Sequence, residues 1–547
     1  MRFRDDELWY KDAVFYELSV RAFYDHNADG KGDFQGLVHK LDYVQELGVN
    51  CIWLLPIYAS PLRDDGYDVS DFYRFHPDYG TLEDFRVLLE EAHRRGLRVI
   101  TDLVMNHTSD QHPWFVESRS SRESPKRDYY VWSPTDQKYT EARVIFLDTE
   151  KSNWTFDPGT GEYYWHRFFS HQPDLNFENV HVQQAMLEVI AHWLDEGIDG
   201  FRVDAVPYLY EREGTNCENL TETHAYLKRV RRLVDERFKG RVLLAEANQW
   251  PEDVRAYFGA GDEFHMAFHF PVMPRLYLAL QKQDRSSIVE IMKRTPSIPE
   301  ASQWCTFLRN HDELTLEMVT PEEREFMWGA YAPLPKMRLN LGIRRRLSPL
   351  LDNDRSKIEL LNSMLFTLPG SPVVYYGDEI GMGDNIALPD RDGVRTPMQW
   401  SDAPNAGFCA PSVEKLYSPI IDDGVYGYRH VNVAAQAKDS GSLLHFMRRL
   451  IRRRKEHTVL GRGTCEFLEP ANRAVLAHIR GDRGEAILAV HNLSAATQNV
   501  DLDLPDWVGV LPVDVLTNRT FAPVSEPVYR LKLAPYQYHW LLMRQPS

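Results

Sequence analysis

The sequence predicts an α/β fold: a closed parallel (β/α)8 TIM barrel, a small domain inserted after its third strand, and a C-terminal antiparallel β-sandwich. Three observations predict it. Between residues 13 and 377, eight short apolar runs alternate with amphipathic stretches of helical period. The connection from the third to the fourth run, residues 105–198, far exceeds the usual loop of about 4–6 residues and is dense in aromatics (HPWF, DYYVW, NWTFD, EYYWHRFF). After residue 455 the texture turns to short β-like runs separated by turn residues. An open doubly wound sheet is the alternative. It would usually bring a glycine-rich phosphate turn, and neither GxGxxG nor GxxxxGK[ST] occurs.

The strands follow in order: AVFYELSV (13–20), NCIWLLPI (50–57), LRVITDLV (97–104), DGFRVDAV (199–206), RVLLAEA (241–247), EFHMAFHF (263–270), QWCTFLRN (303–310) and SPVVYYG (371–377). Between them lie helices. Leu37, Leu41, Val44 and Leu47 recur at helical spacing and Gly48 ends the pattern. Residues 82–96 close on Arg94, Arg95 and Gly96, a C-terminal signature. Similar helices fit 181–196, 221–238 and 357–367. The barrel then comprises 1–106 and 177–455, with a lid-like insertion at about 313–345; the inserted B domain is 107–176 and the sandwich is 456–547. The basic run RRLIRRRKEH (448–457) reads as a solvated helix face.

Composition narrows the function classes. Aromatic residues make up 12% of the 547, which excludes a disordered chain. Lys plus Arg number 63 and Asp plus Glu 80, a net charge of -17, which disfavours nucleic acid or an anionic membrane as partner. The start, MRFRDDELWY, shows no apolar signal core, and no run reaches the roughly 18 apolar residues of a spanning helix. The expectation is a cytoplasmic protein without a membrane partner. Its five cysteines are scattered, with no CxxC, and are expected as reduced thiols.

In a parallel barrel the chemistry sits at the C-terminal ends of the strands. Four carboxylates stand there: Asp102, Asp204, Glu246 and Asp312. Asp102 is expected to brace its neighbours. Arg202 lies two residues before Asp204, on the same side of the strand, where it can hold Asp204 ionised. Glu246 is flanked by Leu243, Leu244, Ala245 and Ala247, so desolvation is expected to raise its pKa and suit it to donate a proton. One ionised and one protonated carboxyl are what glycosidic-bond chemistry requires. Tyr67, Phe146, His107 and His311 are candidate sugar contacts.

DLVMNHT, GFRVDAV, LLAEAN and FLRNHD, in that order, resemble the four sequence regions of the α-amylase superfamily (glycoside hydrolase family 13), whose members are retaining α-glucoside enzymes. The resemblance covers nearly the whole chain. It implies Asp204 as nucleophile, Glu246 as general acid/base and Asp312 as the carboxylate on the sugar's 2- and 3-hydroxyls, with Arg202, His107 and His311 around the same sugar. RDGVRTPMQW (391–400) and DDGYDVSDF resemble the α-glucosidase and oligo-1,6-glucosidase branch, where an Asp–Arg pair closes the pocket; Asp64 and Arg395 match it. Gln172 and Arg391 are further candidate substrate contacts.

Narrower stretches (VDAVPYLYEREGTNCENLTETH, AEANQWPEDV, FHMAFHFPVMPR, NHDELTLEMVTPEER) are similar to the trehalose synthase group of that superfamily. This implies intramolecular isomerisation of maltose to trehalose and back, with minor hydrolysis to glucose. Tyr208, Asn248, Glu313 and Glu317 would close the site over the reducing-end glucose; Glu313 and Glu317, four apart, also fit one face of an exposed helix. The neighbouring readings are a hydrolytic α-glucosidase or oligo-1,6-glucosidase and a sucrose isomerase. A reading from another class is a non-catalytic, membrane-anchored glucosidase-like subunit, which the intact carboxylate trio disfavours. No organic cofactor is expected. One structural Ca2+ is implied on Asn106, Asp174, Glu211 and the carbonyls of Tyr208 and Leu209. The alternating oxygens of DHNADGKGD (Asp25, Asn27, Asp29, the Lys31 carbonyl, Asp33) read as a second loop for Ca2+ or Mg2+. Gly36 stands where an EF-hand has its bidentate Glu. A homo-oligomer is left open, and the C-terminal YQYHWLLMR is expected to pack internally.

Overall fold

The structure, a computed structural model, describes residues 6–422, 424–482 and 484–544. Eight parallel strands close a barrel: β1 Phe15–Leu18, β2 Cys51–Leu54, β3 Arg98–Leu103, β4 Gly200–Val203, β5 Val242–Ala245, β6 Met266–Phe268, β7 Gln303–Phe307 and β8 Ser371–Tyr375. Each pairs with its sequence neighbours, and β8 closes on β1 through Phe15 opposite Val373. Every expected strand is present, shorter than its apolar run because the run continues into the buried strand-end loops.

The outer layer carries α1 Phe34–Leu47, α2 Leu82–Arg94, α3 Val180–Asp195, α4 Thr221–Arg237, α5 Val272–Lys282, α6 Ser286–Arg294, α7 Pro321–Tyr331, α8 Arg355–Thr367 and α9 Leu443–Glu456. Helix α1 buries Leu37, Leu41, Val44 and Leu47 and stops at Gly48, which adopts φ 98°, a left-handed turn that glycine takes without strain. Helix α2 opens with a Thr81–Asp84 capping box. Helix α9 carries the basic run, but not all of it is solvated. Arg454 continues the apolar face of Met447 and Leu450 and is buried, donating to the carbonyls of Phe366 and Gly370. The helical period puts one Arg of the run on the core side, where carbonyls satisfy its donors.

The long excursion after β3 contains helix Pro113–Ser118 and a three-stranded antiparallel sheet of Trp132–Ser133, Glu162–Trp165 and Trp154–Asp157. The C-terminal unit has β9 Thr464–Leu468, β10 Val475–Asp482, β11 Glu485–Asn492, β12 Gln498–Asp503, β13 Val513–Asp514, β14 Val528–Leu533 and β15 Tyr538–Met543. The sheet β9-β10-β11-β15-β13 and the pair β12-β14 share one core, in which Leu488, Val490 and Leu541 meet Leu502, Leu531 and Leu533. The C-terminal strand packs inward: Trp540 is buried and donates to Ser363 on α8. Among the described residues no helix is long and apolar enough to cross a membrane.

Candidate active site

Arg202 organises the strand ends. Period two turns its side chain and that of Asp204 to the same side of β4. Its guanidinium donates to Asp204 at 2.6 Å and pairs with Asp102 and Glu246 as well. Asp102 also accepts from Trp53 Nε1 at 2.7 Å and does not reach the cavity, so it braces Arg202. Burial pushes Asp204 up to about 6, although Arg202 pulls against it; the guanidinium therefore limits the rise rather than depressing the carboxyl. Burial pushes Glu246 up to about 8, again against Arg202 and aided by the charges of Asp204 and Asp312. Glu246 Oε2 accepts the N–H of Ala205, a residue held at φ 52° immediately after Asp204.

A second group forms the wall. His311 places Nε2 2.7 Å from the Tyr67 hydroxyl and stacks on the Tyr67 ring. Its Nδ1 lies 2.6 Å from Glu17 on β1. Asp312 meets His311 Nε2 (3.2 Å), Arg391 (2.9 Å) and Arg395 (3.1 Å). Burial alone would raise its pKa, but His311, Arg391 and Arg395 outweigh burial and hold the carboxyl well below the usual range. His107 is pushed down to about 3 by burial, so it is neutral, and its Nε2 is buried without a partner. The expected Asp64–Arg395 closure is corrected. Asp64 binds Arg391 (3.3 Å) and Gln172 (2.8 Å), whereas Arg395 binds Asp65, Asp312 and the His311 carbonyl. Arg395 follows Arg391 by about one helical turn and points to the next carboxylate along.

The rim comes from three segments. Tyr208 follows β4, and its hydroxyl accepts from Arg143 of the inserted domain at 3.2 Å. Arg143 also pairs with Glu317, beyond β7, at 2.7 Å. Asn248 follows Glu246 and donates to Thr315 at 3.2 Å. Residues 313–317 are not helical: Leu314–Thr315 is a short strand paired with Gly342–Ile343, a turn follows at 317–318, and α7 begins only at Pro321. The exposed-helix alternative for Glu313 and Glu317 therefore fails. Glu313 Oε2 and Asn248 Oδ1 are buried without partners beside the cavity.

The chain matches the family profile described as alpha amylase, catalytic domain, over residues 18–327 and 343–463, and that described as maltogenic amylase, C-terminal domain, over 465–540. The chain belongs to the α-amylase family. Within it, this family member is 57% identical to the trehalose synthase/amylase of Mycolicibacterium smegmatis, over 99% of this chain and 94% of that one. It is 58% identical to the trehalose synthase of Pimelobacter sp., over 98% and 96%. At these identities it is an enzyme of the family's trehalose synthase group. Among solved structures, an inactive MutB double mutant in complex with isomaltulose superposes at TM-score 0.79, with 29% identity over 98% of this chain and 99% of that one.

In this family member the cavity is lined by Asp64, Tyr67, His107, Phe146, Asp204, Tyr208, Glu246, Asn248, Asp312, Glu313, Glu317 and Arg391. Gln172, Arg202, His311 and Arg395 stand one layer behind. Ile145, Phe168, Phe270 and Thr315 also line it and went unselected, as did Arg143 and Glu17. Phe168 lies in an aromatic block that marked the region without singling out a ring.

The two cation sets differ. Asn106 Oδ1, Asp174 Oδ2 and Glu211 Oε1 are all buried without hydrogen-bond partners. Burial pushes Asp174 up to about 8 and Glu211 well above its usual range, Asp174 adding to the latter. Orphaned hard oxygens of this kind fit a cation. In the 25–33 loop the donor set is also all oxygen, but backbone N–H groups already bond its side chains: Ala28 and Gly30 to Asp25, Asp29 to Asn27, Lys31 to Asp29, and His26 and Gly36 to Asp33. Among the described residues no cluster of three or more His, Cys, Asp and Glu comes together as a metal site.

Proposed function

We propose that the enzyme interconverts maltose and trehalose by intramolecular transfer of one glucosyl unit. The observation that carries this reading is the closed rim. Arg143 bridges from the inserted domain to Tyr208 and Glu317, above a cavity that already holds the carboxylates of glycosidic cleavage. The names of the relatives at 57–58% identity support it.

The non-reducing glucose sits against Tyr67, His107, Asp312 and Arg391, with Asp64 and Gln172 blocking further length. Asp204 attacks the anomeric carbon while Glu246 gives its proton to the departing O4. A β-glucosyl ester on Asp204 forms and glucose is released into the closed site. The free glucose turns and attacks through its own anomeric hydroxyl, whose proton returns to Glu246. Two inversions keep the transferred glucosyl unit α, and attack by the hydroxyl of an α-anomer makes the linkage α,α-1,1. Water attacking the same ester gives two glucose molecules, so who attacks decides the product. A sealed site keeps glucose at high effective concentration and water out.

The Asn106, Asp174 and Glu211 oxygens, with the carbonyls of Tyr208 and Leu209, would hold one Ca2+; its contribution is structural, tying the inserted domain to the loop after β4. The 25–33 loop would hold Ca2+ or Mg2+ as a second structural ion.

The test is direct. The pure protein is incubated with maltose, without phosphate or nucleotide, and the sugars are resolved by anomeric NMR. Trehalose well above glucose, and maltose formed from trehalose, are expected. Glucose alone would make it an α-glucosidase; turnover of sucrose in place of maltose would make it a sucrose isomerase.

A further inference from the structure

Glu218 sits where the inserted domain meets the barrel rim, outside the cavity lining. It belongs to the loop between β4 and α4, and its side chain is 8% exposed. Oε1 accepts from Arg143 Nε at 3.0 Å and from Arg167 Nη2 at 2.9 Å; Oε2 accepts from Gln249 Nε2 at 3.3 Å. Both arginines come from the inserted domain, whereas Gln249 follows β5. Arg167 is fully buried, lays its guanidinium 4.7 Å over the Tyr208 ring and donates to the Asn216 carbonyl.

A guanidinium is planar, so fixing Nε fixes the plane of its fork. With Nε on Glu218, Arg143 Nη1 and Nη2 point to Glu317 and Tyr208 together. Without that anchor Arg143 keeps only the Tyr208 hydroxyl and a partly exposed ion pair with Glu317, too weak a hold to fix the fork. Glu218 also neutralises two arginines that share one of its oxygens; removing its charge leaves them to repel.

We propose that Glu218 is a positioning residue that sets the partition between isomerisation and hydrolysis, by holding Arg143 in the orientation that closes the reducing-end side of the pocket. This rests on the maltose–trehalose reading. Glu218 touches neither Asp204 nor Glu246, so ester formation does not depend on it. What depends on it is whether glucose or water reaches the ester.

The test uses Glu218→Gln, which keeps the shape and removes the charge. Three quantities are read: the glucose share of products from maltose, kcat/KM for p-nitrophenyl α-glucoside, and Tm. The aryl substrate needs no reducing-end sugar held in place. Expected are a glucose share raised by about threefold or more and aryl glucosidase activity within about threefold of the parent. Glu317→Gln should raise the glucose share similarly, and the double variant should add little beyond either. An unchanged share in folded Glu218→Gln overturns the proposal. So does aryl activity falling in step, which would mean Glu218 supports the whole site, and so does a fully additive double variant. If Glu218→Gln does not fold, Glu218→Asp keeps the charge but withdraws it from Arg143, and an unchanged share there overturns the proposal equally. If the parent enzyme makes only glucose, the maltose–trehalose reading fails on its own. The clamp is then read from KM for maltose relative to the aryl glucoside, which should rise in Glu218→Gln and whose constancy would overturn it.

Discussion

Asp204 and Glu246 face one another across Arg202, and burial raises both, to about 6 and about 8. Asp204 must be ionised to attack, so the rate rises as pH climbs through the lower value. Glu246 must be protonated to release O4, so the rate falls as pH passes the upper one. The kcat/KM for maltose should therefore be bell-shaped, with an optimum near 7 and about tenfold loss per pH unit outside each limb. The two values belong to the coupled pair. For p-nitrophenyl α-glucoside the leaving phenolate needs no proton, so the alkaline limb should flatten while the acid limb stays. An alkaline limb of equal steepness for both substrates would deny Glu246 the role of acid. At this scale much was legible in the sequence. A carboxylate inside an apolar run is anomalous wherever it occurs, and strand period two put Arg202 beside Asp204. Partner choice was not legible. Whether Asp64 meets Arg391 or Arg395 depends on where two remote loops cross, and Glu17 reaches His311 only because β8 closes the barrel onto β1.

The elements that decide the product are the insertions. The barrel strands were readable because each buried run is apolar and punctuated by polar loops. The stretch 313–345 was harder: Glu313 and Glu317 are four apart, a helical spacing, yet pairing with Gly342–Ile343 draws Leu314–Thr315 into a short strand. The family profile also breaks across 328–342. From either side of that strand, Glu313 and Glu317 both line the cavity. Strand β14 alternates exposed and buried residues strictly, a period-two signal present in VYRLKL. Tyr208 joins the insertions by its hydroxyl on Arg143 and its ring under Arg167. Tyr208→Ala removes both contacts and opens the rim. The glucose-to-trehalose ratio from maltose should rise about fivefold, equivalent to about 1 kcal/mol in the competition between glucose and water. An unchanged ratio would remove Tyr208 from the closure.

The whole molecule needs the inserted domain fixed to the barrel, because Arg143 and Phe146 stand on one and the catalytic carboxylates on the other. The proposed cation is placed to fix it: Asn106 ends the strand-3 loop, Asp174 ends the inserted domain, and Glu211 follows β4. Without an ion, two buried acids lie close together, and Asp174 has a folded pKa of about 8 against about 3.9 unfolded. A group raised on folding contributes its full stability below the unfolded value and loses it as pH climbs through the folded one. The chelated enzyme should therefore lose stability steadily from about pH 4 to 8, as those acids are driven to ionise in a dry site. With Ca2+ present the ionised carboxylates become ligands and the slope should vanish, the gain reaching about 2.7 kcal/mol at a hundredfold excess over Kd. Asp174→Asn should lower the affinity for Ca2+ and flatten the slope of the chelated protein. The measurement is Tm against pH with EDTA and with Ca2+, for the parent and for Asp174→Asn. Parallel curves in the two media would mean that these oxygens hold no ion, and that the inserted domain is held by contacts within the chain such as those of Arg143, Arg167 and Gln172.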